Sequence, residues 1–443
     1  MRPSVQASLY QFLHSDSHLK LQVSWAIKSK IINFLENSYV FLSQTQSRFQ
    51  KRYPQLDVLF TLTGTYDHQL GIQEELAKIC STNGFKSGLI GLFHRAFLRN
   101  IHGFDSVLPL GMLPVSLDVK KSISDQCRHL YLKLQESDKS NLQFHDAYND
   151  LVQVAIQIEQ FAVWNHRLLE FTEPRIAILN NSKDPKDVAM QIACDRLNIP
   201  SMLIPHGFPQ KSQYPISANF VMSYAGHHDK YLKKLCRNPK QVKSLGWLEP
   251  RKTLFYGADH ILKNRPKFER RMKYNILFFA QLSGSRQHRC NSLSQLVPDV
   301  IKALNKMKEV ETITIRLRPS EMNNPVIERY LKQINCSKLK ISLNKSIYSD
   351  LKANNLLMSF SSTGLLYGPY LNMKSIEIRD DGINSVWPNS ILPSQQVYKI
   401  GQAFHPIEFR EFVLESPVIN GEEVFYNRGH ELERFVEFIS TTL

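Results

Sequence analysis

The 443-residue sequence has no run approaching the roughly 18 apolar residues that a membrane-spanning helix needs. Its opening residues, Met1-Arg2-Pro3-Ser4, lack the charged-then-apolar order of a secretory leader. Together these absences predict a cytoplasmic protein. Cysteine is scarce and scattered. Cys80, Cys127, Cys194, Cys236, Cys290 and Cys336 show none of the close pairings that a structural zinc site or redox motif requires, so they read as reduced, buried spacers. No Asp-x-Asp stands at the end of an apolar run, which leaves no obvious divalent-ion ligand pair. Internal repeats and low-complexity tracts are missing, which excludes solenoids. The basic runs lack interleaved aromatics, and no helix-turn-helix, finger or RNP-like pattern occurs, so nucleic acid is a poor partner.

Positive charge is abundant: 55 Lys and Arg stand against 40 Asp and Glu, a formal excess of +15. Such an excess favours anionic partners, whether nucleotides, acidic glycans or the anionic inner face of the plasma membrane, where peripheral contact is an open expectation. A hydrophobic content of 42% argues against wholesale disorder. The length exceeds what one core usually organises and predicts two domains of about 200 residues each.

The pattern along the chain supports that division. Residues 1–55 read as a basic helical extension, with Trp25, Ile27, Ile31, Phe34 and Leu35 on one amphipathic face. Residues 57–64 read as a buried strand followed by a helix over 68–80. A long helix over 146–171, a strand at 175–180, a helix over 185–197 opened by Asp184 and Pro185, and a strand at 199–207 continue the alternation. Segments 218–224 and 242–247 can close this sheet. A Lys-, Arg- and Pro-rich stretch ends the first domain (56–250) and forms a linker at 251–273. The second domain (274–400) alternates again. Its strands fall at 274–281, 312–317, 339–343, 356–360 and 375–378, and its helices at 293–307, 325–334, 346–353 and 363–371. C-terminal helices over 406–414 and 430–441 make up the last segment, 401–443. The expected class is α/β, two doubly wound Rossmann-like domains facing a cleft, with ligands at the carboxyl ends of parallel strands.

Every chemically suggestive motif sits at such a strand end. Ser361-Ser362-Thr363 lies between an apolar strand and a helix; it reads either as an ordinary helix cap or as a phosphate cradle of hydroxyls and free N–H groups. Ser283, Gly284 and Arg286 form a Gly/Ser turn with a cation after the first strand of the second domain, a surface loop or a phosphate contact. Arg316 and Arg318 end another strand at Pro319, and an arginine buried there needs an anion to justify its desolvation. In the first domain, Pro205-His206-Gly207 ends a strand with a histidine able to move a proton near neutral pH. Asp67 follows another strand end and suits a helix cap or a base. Asp380 and Asp381, before Gly382, suit a turn or sugar and ribose hydroxyls.

This order of features resembles the GT-B glycosyltransferases of bacterial capsule and surface-polysaccharide biosynthesis, including Kdo-, sialic-acid- and polyol-phosphate-transferring members. The resemblance spans about residues 175–400. It implies a glycosyltransferase taking a CMP- or NDP-linked sugar in the second domain and a glycan or lipid-linked acceptor in the first, without a metal. Ser361, Ser362 and Thr363 would then meet donor phosphate, and Arg318 would occupy the histidine of a His-Pro pair. Two departures stand out: that histidine is replaced by Arg318, and the helix after the serine turn reads Leu365-Leu366-Tyr367-Gly368-Pro369, without the glutamate that many relatives use on ribose. A nucleotide-sugar epimerase or hydrolase, and a non-catalytic polyanion- or glycan-binding protein, are the alternatives.

Overall fold

The computed structural model describes residues 54–62, 67–91, 101–137, 144–181, 184–205, 216–248, 273–280, 290–317, 321, 324–343, 347–360, 362–380, 390–400 and 404–442. The amphipathic face expected at Trp25, Ile27, Ile31, Phe34 and Leu35, and all of the linker expected at 251–273 except Lys273, lie outside the described residues.

In chain order the first half comprises β1 (Val58–Leu62), α1 (Asp67–Thr82), β2 (Ser87–Gly91), β3 (Ser106–Pro109), α2 (Leu117–Ser137), α3 (Phe144–Thr172), β4 (Ile176–Leu179), α4 (Pro185–Leu197), β5 (Ser201–Leu203), β6 (Phe220–Ser223), α5 (Gly226–Leu235) and β7 (Val242–Ser244). The second half comprises β8 (Tyr274–Phe279), α6 (Cys290–Lys306), β9 (Val310–Arg316), α7 (Pro325–Lys332), β10 (Leu339–Ile341), α8 (Ile347–Ala353), β11 (Leu356–Ser359), α9 (Tyr367–Tyr370), β12 (Lys374–Asp380), β13 (Val397–Ile400), α10 (Pro406–Glu415), α11 (Gly421–Val424) and α12 (Glu431–Thr442).

The strands form two sheets, ordered β3-β2-β1-β4-β5-β6-β7 and β10-β9-β8-β11-β12-β13. All pairings are parallel. Parallel sheets need cover on both faces, which is why Val-Leu-Phe-Thr-Leu in β1, Ile-Ala-Ile-Leu in β4 and Leu-Leu-Met-Ser in β11 are buried throughout. The chain is thus an α/β protein of two doubly wound domains.

Several elements carry little sequence signal. In β2, Ser87-Gly88-Leu89-Ile90-Gly91 offers only two large side chains, yet a Cβ on Gly88 would lie 2.4 Å from Leu56, so glycine is what lets the strand pass. The expected helix over 363–371 is a 3-10 turn, Thr363–Leu366, running into the single α-turn of α9. Gly368 in α9 explains the tight path. A Cβ there would fall 2.7 Å from Ser375 Cβ, which brings α9 hard against the start of β12.

The halves are joined by aromatic packing and by a chain crossover. Trp247, just after β7 and 2% exposed, stacks on Phe425 at 5.7 Å and meets Tyr367 at 5.0 Å and Tyr370 at 5.8 Å. Of the C-terminal helices, α10 stays with the second sheet, with Phe409 and Val413 in its core. In contrast α12 returns to the first half, where Phe438 packs edge-on against Phe220 of β6 at 5.0 Å.

Candidate functional site

In each sheet the strand order reverses once, between β1 and β4 and between β8 and β11. Connections leave to opposite faces at such a point, opening a crevice at the carboxyl ends of the two strands. Those two places define the candidate site.

At the β1/β4 point a compact polar group is buried. Thr61 donates its hydroxyl to Asp187 Oδ1 at 2.6 Å, and its carbonyl accepts from Asn180 Nδ2 at 2.9 Å and from Gln73 Nε2. Asp187 belongs to the first turn of α4, where the helix dipole favours a carboxylate, and Asp184 caps that helix through the N–H of Lys186 at 2.9 Å. Here the sequence reading of 185–197 holds down to its cap.

At the β8/β11 point Ser359 donates its hydroxyl to the carbonyl of Phe279 at 2.8 Å, tying the two strand ends together. The serine turn then rises over β8. Ser362 accepts from the N–H of Gly364 at 3.2 Å, which satisfies the capping reading for that residue and uses the hydroxyl oxygen rather than its proton. Gly364 sits against the Phe279 ring, where a Cβ would approach to 3.1 Å. Close packing on β8 therefore fixes the position of Ser362 and Thr363, both half-buried.

The other expected residues divide by where they lie. Ser283, Gly284, Arg286, Arg318, Ser361, Asp381 and His206 lie outside the described residues. Their flanking strands are neighbours nonetheless: the segments carrying Arg318, Ser283 to Arg286, and Ser361 to Thr363 leave β9, β8 and β11, which are adjacent and parallel. Asp380 is the last residue of β12, and Asp67 is the first residue of α1. Arg316 has its anion inside the protein. It pairs with Asp350 of α8, whose carboxylate also accepts from Ser342 Oγ at 2.8 and 2.7 Å. This arginine is a strut between β9 and α8, and no ligand is needed to explain its burial.

Sequence reasoning missed a cluster at the meeting of the halves. Tyr224, after β6, donates its hydroxyl to the carbonyl of Pro205 at 2.8 Å, anchoring the residue that precedes His206. Its ring stacks on His228 at 4.1 Å, and the Tyr224 N–H donates to His228 Nδ1 at 3.3 Å. Burial holds the His228 pKa well below the ordinary histidine value. His227 donates from Nε2 to the carbonyl of Ile391 at 2.8 Å, a direct bridge from the first half to the second, and burial also lowers its pKa. Ile391 and Leu392 in turn donate their N–H groups to Oε2 of Glu377 at 2.7 and 3.0 Å. Glu377 is 1% exposed, and burial raises its pKa to about 7, against the opposing pull of those donors and of Arg379 at 3.6 Å. The available signal was Gly226-His227-His228-Asp229 directly after an apolar run, the same strand-end position as the motifs that were noticed.

Among the described residues no cluster of His, Cys, Asp and Glu is arranged to hold a metal, and no helix is long and apolar enough to cross a membrane.

No family model matches the sequence, and no curated protein matches it. Solved structures match the fold. A UDP-N-acetylglucosamine 2-epimerase aligns over 87% of this chain and 96% of its own, with a TM-score of 0.51 at 10% identity. The UDP-GlcNAc 2-epimerase of Neisseria meningitidis, solved bound to UDP-GlcNAc, aligns over 87% and 100%, with a TM-score of 0.50 at 12% identity. MurG of Acinetobacter baumannii aligns over 87% and 99%, with a TM-score of 0.50 at 9% identity. At such identities the likeness establishes architecture: this chain has a GT-B-like α/β fold of two domains.

Proposed function

We propose that the protein is a metal-independent GT-B glycosyltransferase that moves a sugar from a nucleotide-sugar donor to a cell-surface polysaccharide or lipid-linked glycan, working in the cytoplasm or on the inner face of the membrane. The observation that carries this reading is the β8/β11 switch point, where a hydroxyl turn is pinned over the strand ends by Ser359 and Gly364. Donor phosphate would rest on Ser361, Ser362 and Thr363, with Arg318 and Arg286 offsetting the charge that grows on the leaving group. Asp380 and Asp381 would meet sugar or ribose hydroxyls. In the first domain His206, the residue after the Pro205 that Tyr224 anchors, or Asp67, would take the acceptor proton.

The test is thermal shift of the protein with CMP, CDP, UDP, GDP and ADP, with and without EDTA. One nucleotide class should raise the unfolding temperature, and Ser362→Ala or Arg318→Ala should remove most of that rise. Indifference to every nucleotide would sink the reading in favour of a glycan- or polyanion-binding protein. Turnover should fall by about 10²–10⁴ in whichever of His206→Ala and Asp67→Asn removes the base.

A second reading keeps the fold and changes the reaction to nucleotide-sugar epimerisation or hydrolysis. The structural likeness to two UDP-GlcNAc 2-epimerases favours it. Donor consumed without any acceptor present would select it.

A further inference from the structure

We propose that the outer edge of the first sheet is a docking track for a linear acidic glycan, built from Lys230, Lys233, Lys234 and Arg237 and continued by Lys240. That this polymer is the acceptor rests on the glycosyltransferase reading; the track itself does not.

The basic residues of α5 share one face of the helix, and Arg237 and Lys240 follow from its end; Lys243 faces the other side of the sheet, since its neighbour Ser244 faces Asp229 of α5. Lys230, Lys233 and Lys234 recur at helical spacing on α5, whose opposite face, with His228, Asp229, Tyr231, Leu232 and Leu235, is buried. Arg237 follows the end of the helix, Lys240 lies in the 3-10 turn Pro239–Gln241, and Lys243 lies in β7, the edge strand. All are exposed except Lys243, which is half-buried with its ammonium 5.3 Å from the centre of the Phe220 ring.

Among the described residues one carboxylate, Asp229, offsets this charge from within. Across residues 226–244 six cations face one carboxylate, Asp229. Asp229 is itself buried, lies 3.9 Å from Lys233, and accepts from Tyr426 Oη at 3.1 Å. The helix dipole accounts for Lys233 and Lys234 in the last turn of α5. It does not account for Lys230, Arg237 or Lys240, and like charges at this spacing cost helix stability.

The side chains of the track favour a polymer over a bilayer. Among the described residues no large hydrophobic side chain in 226–244 is exposed, so this stretch has nothing to insert among lipid tails. The run begins at the junction of the halves, where His227 in the first turn of α5 bridges to Ile391. It continues for the roughly 15 Å length of a ten-residue helix. A chain with one carboxylate or phosphodiester per repeat would lie along it and be led toward the strand ends.

The test uses the full chain and measures binding against salt concentration with alginate (carboxylate), polyglycerol phosphate (phosphodiester), neutral dextran, and phosphatidylcholine vesicles with phosphatidylglycerol. The variant is Lys230→Gln/Lys233→Gln/Lys234→Gln/Arg237→Gln, and the control Lys120→Gln/Lys121→Gln on α2. The expected result is binding to at least one acidic polymer and not to dextran, weakened about tenfold or more in the track variant with a shallower salt dependence, and unchanged in the control. Should the fourfold variant not fold, Lys230→Gln and Arg237→Gln singly should each give part of that loss. Equal weakening in track and control variants, no polymer binding by the native chain, or tight vesicle binding without polymer binding would each overturn the proposal. The track variant should keep its nucleotide response. Polymer binding by a chain that ignores every nucleotide would end the glycosyltransferase reading and leave the track standing.

Discussion

At the switch point of the first sheet, a threonine, a glutamine, an asparagine and a carboxylate close on one another and on the backbone of Thr61. At that of the second, a serine side-chain bond adds to the ladder between β8 and β11, while the charged groups stand one strand further out, Arg316 with Asp350 on one side and Glu377 with Arg379 on the other. The first arrangement is a sealed floor. In the second, internal ion pairs stiffen the strands on either side of the hydroxyl turn. Buried charges need partners, and Arg316 and Arg379 find theirs inside the second half.

The sharpest way to break this comparison is to uncouple the halves. Trp247→Ala removes the ring shared by Phe425, Tyr367 and Tyr370 and should cost about 3–5 kcal/mol. Calorimetry should show the single transition split in two. Next in size is the flank of the second site. Asp350→Ala strands Arg316 and should cost about 3–5 kcal/mol, whereas Arg316→Met with Asp350→Leu together should recover most of it. An additive double variant would show that the pair is not a strut. Gly368→Ala presses α9 on Ser375 and should cost about 1–3 kcal/mol by denaturant unfolding, with Ser375→Gly returning part of the loss.

The smallest effect concerns pH. Glu377 holds its proton up to about pH 7 when folded and releases it near the ordinary carboxyl value when unfolded. Between those values the folded state binds more protons, so stability falls as pH rises from about 4.5 to 7. The loss should be on the order of 2 kcal/mol, and Glu377→Gln should flatten it. A native profile that rises across this window would show that the N–H groups of Ile391 and Leu392 outweigh burial.

Much of the fold was legible because parallel strands are written as short apolar blocks. The blocks at 58–62, 176–179, 274–279 and 356–359 all became strands in the centre of their sheets. Two edge elements were not legible: β3, Ser-Val-Leu-Pro, and β13, Val-Tyr-Lys-Ile, are as long as β4 and β11 but are interrupted by Pro or Lys and so do not read as apolar blocks. In the candidate site, the serine turn was readable from its hydroxyls. The expected anion for Arg316 was not identifiable, since the carboxylate that answers it comes from Asp350, 34 residues away. The bridge from His227 to Ile391 spans 164 residues and left no local trace.

By itself, then, the sequence determined two alternating α/β halves, the strand-end positions of the hydroxyl and basic motifs, and a surplus of positive charge. These depend on local pattern and composition, which a chain carries before it folds. The tertiary structure decided which strands are neighbours, where each sheet reverses, which buried charges answer one another, and which cations are left facing water along one edge. Those depend on groups distant in the chain meeting in a medium of low dielectric, where an ion must find its partner or stay at the surface.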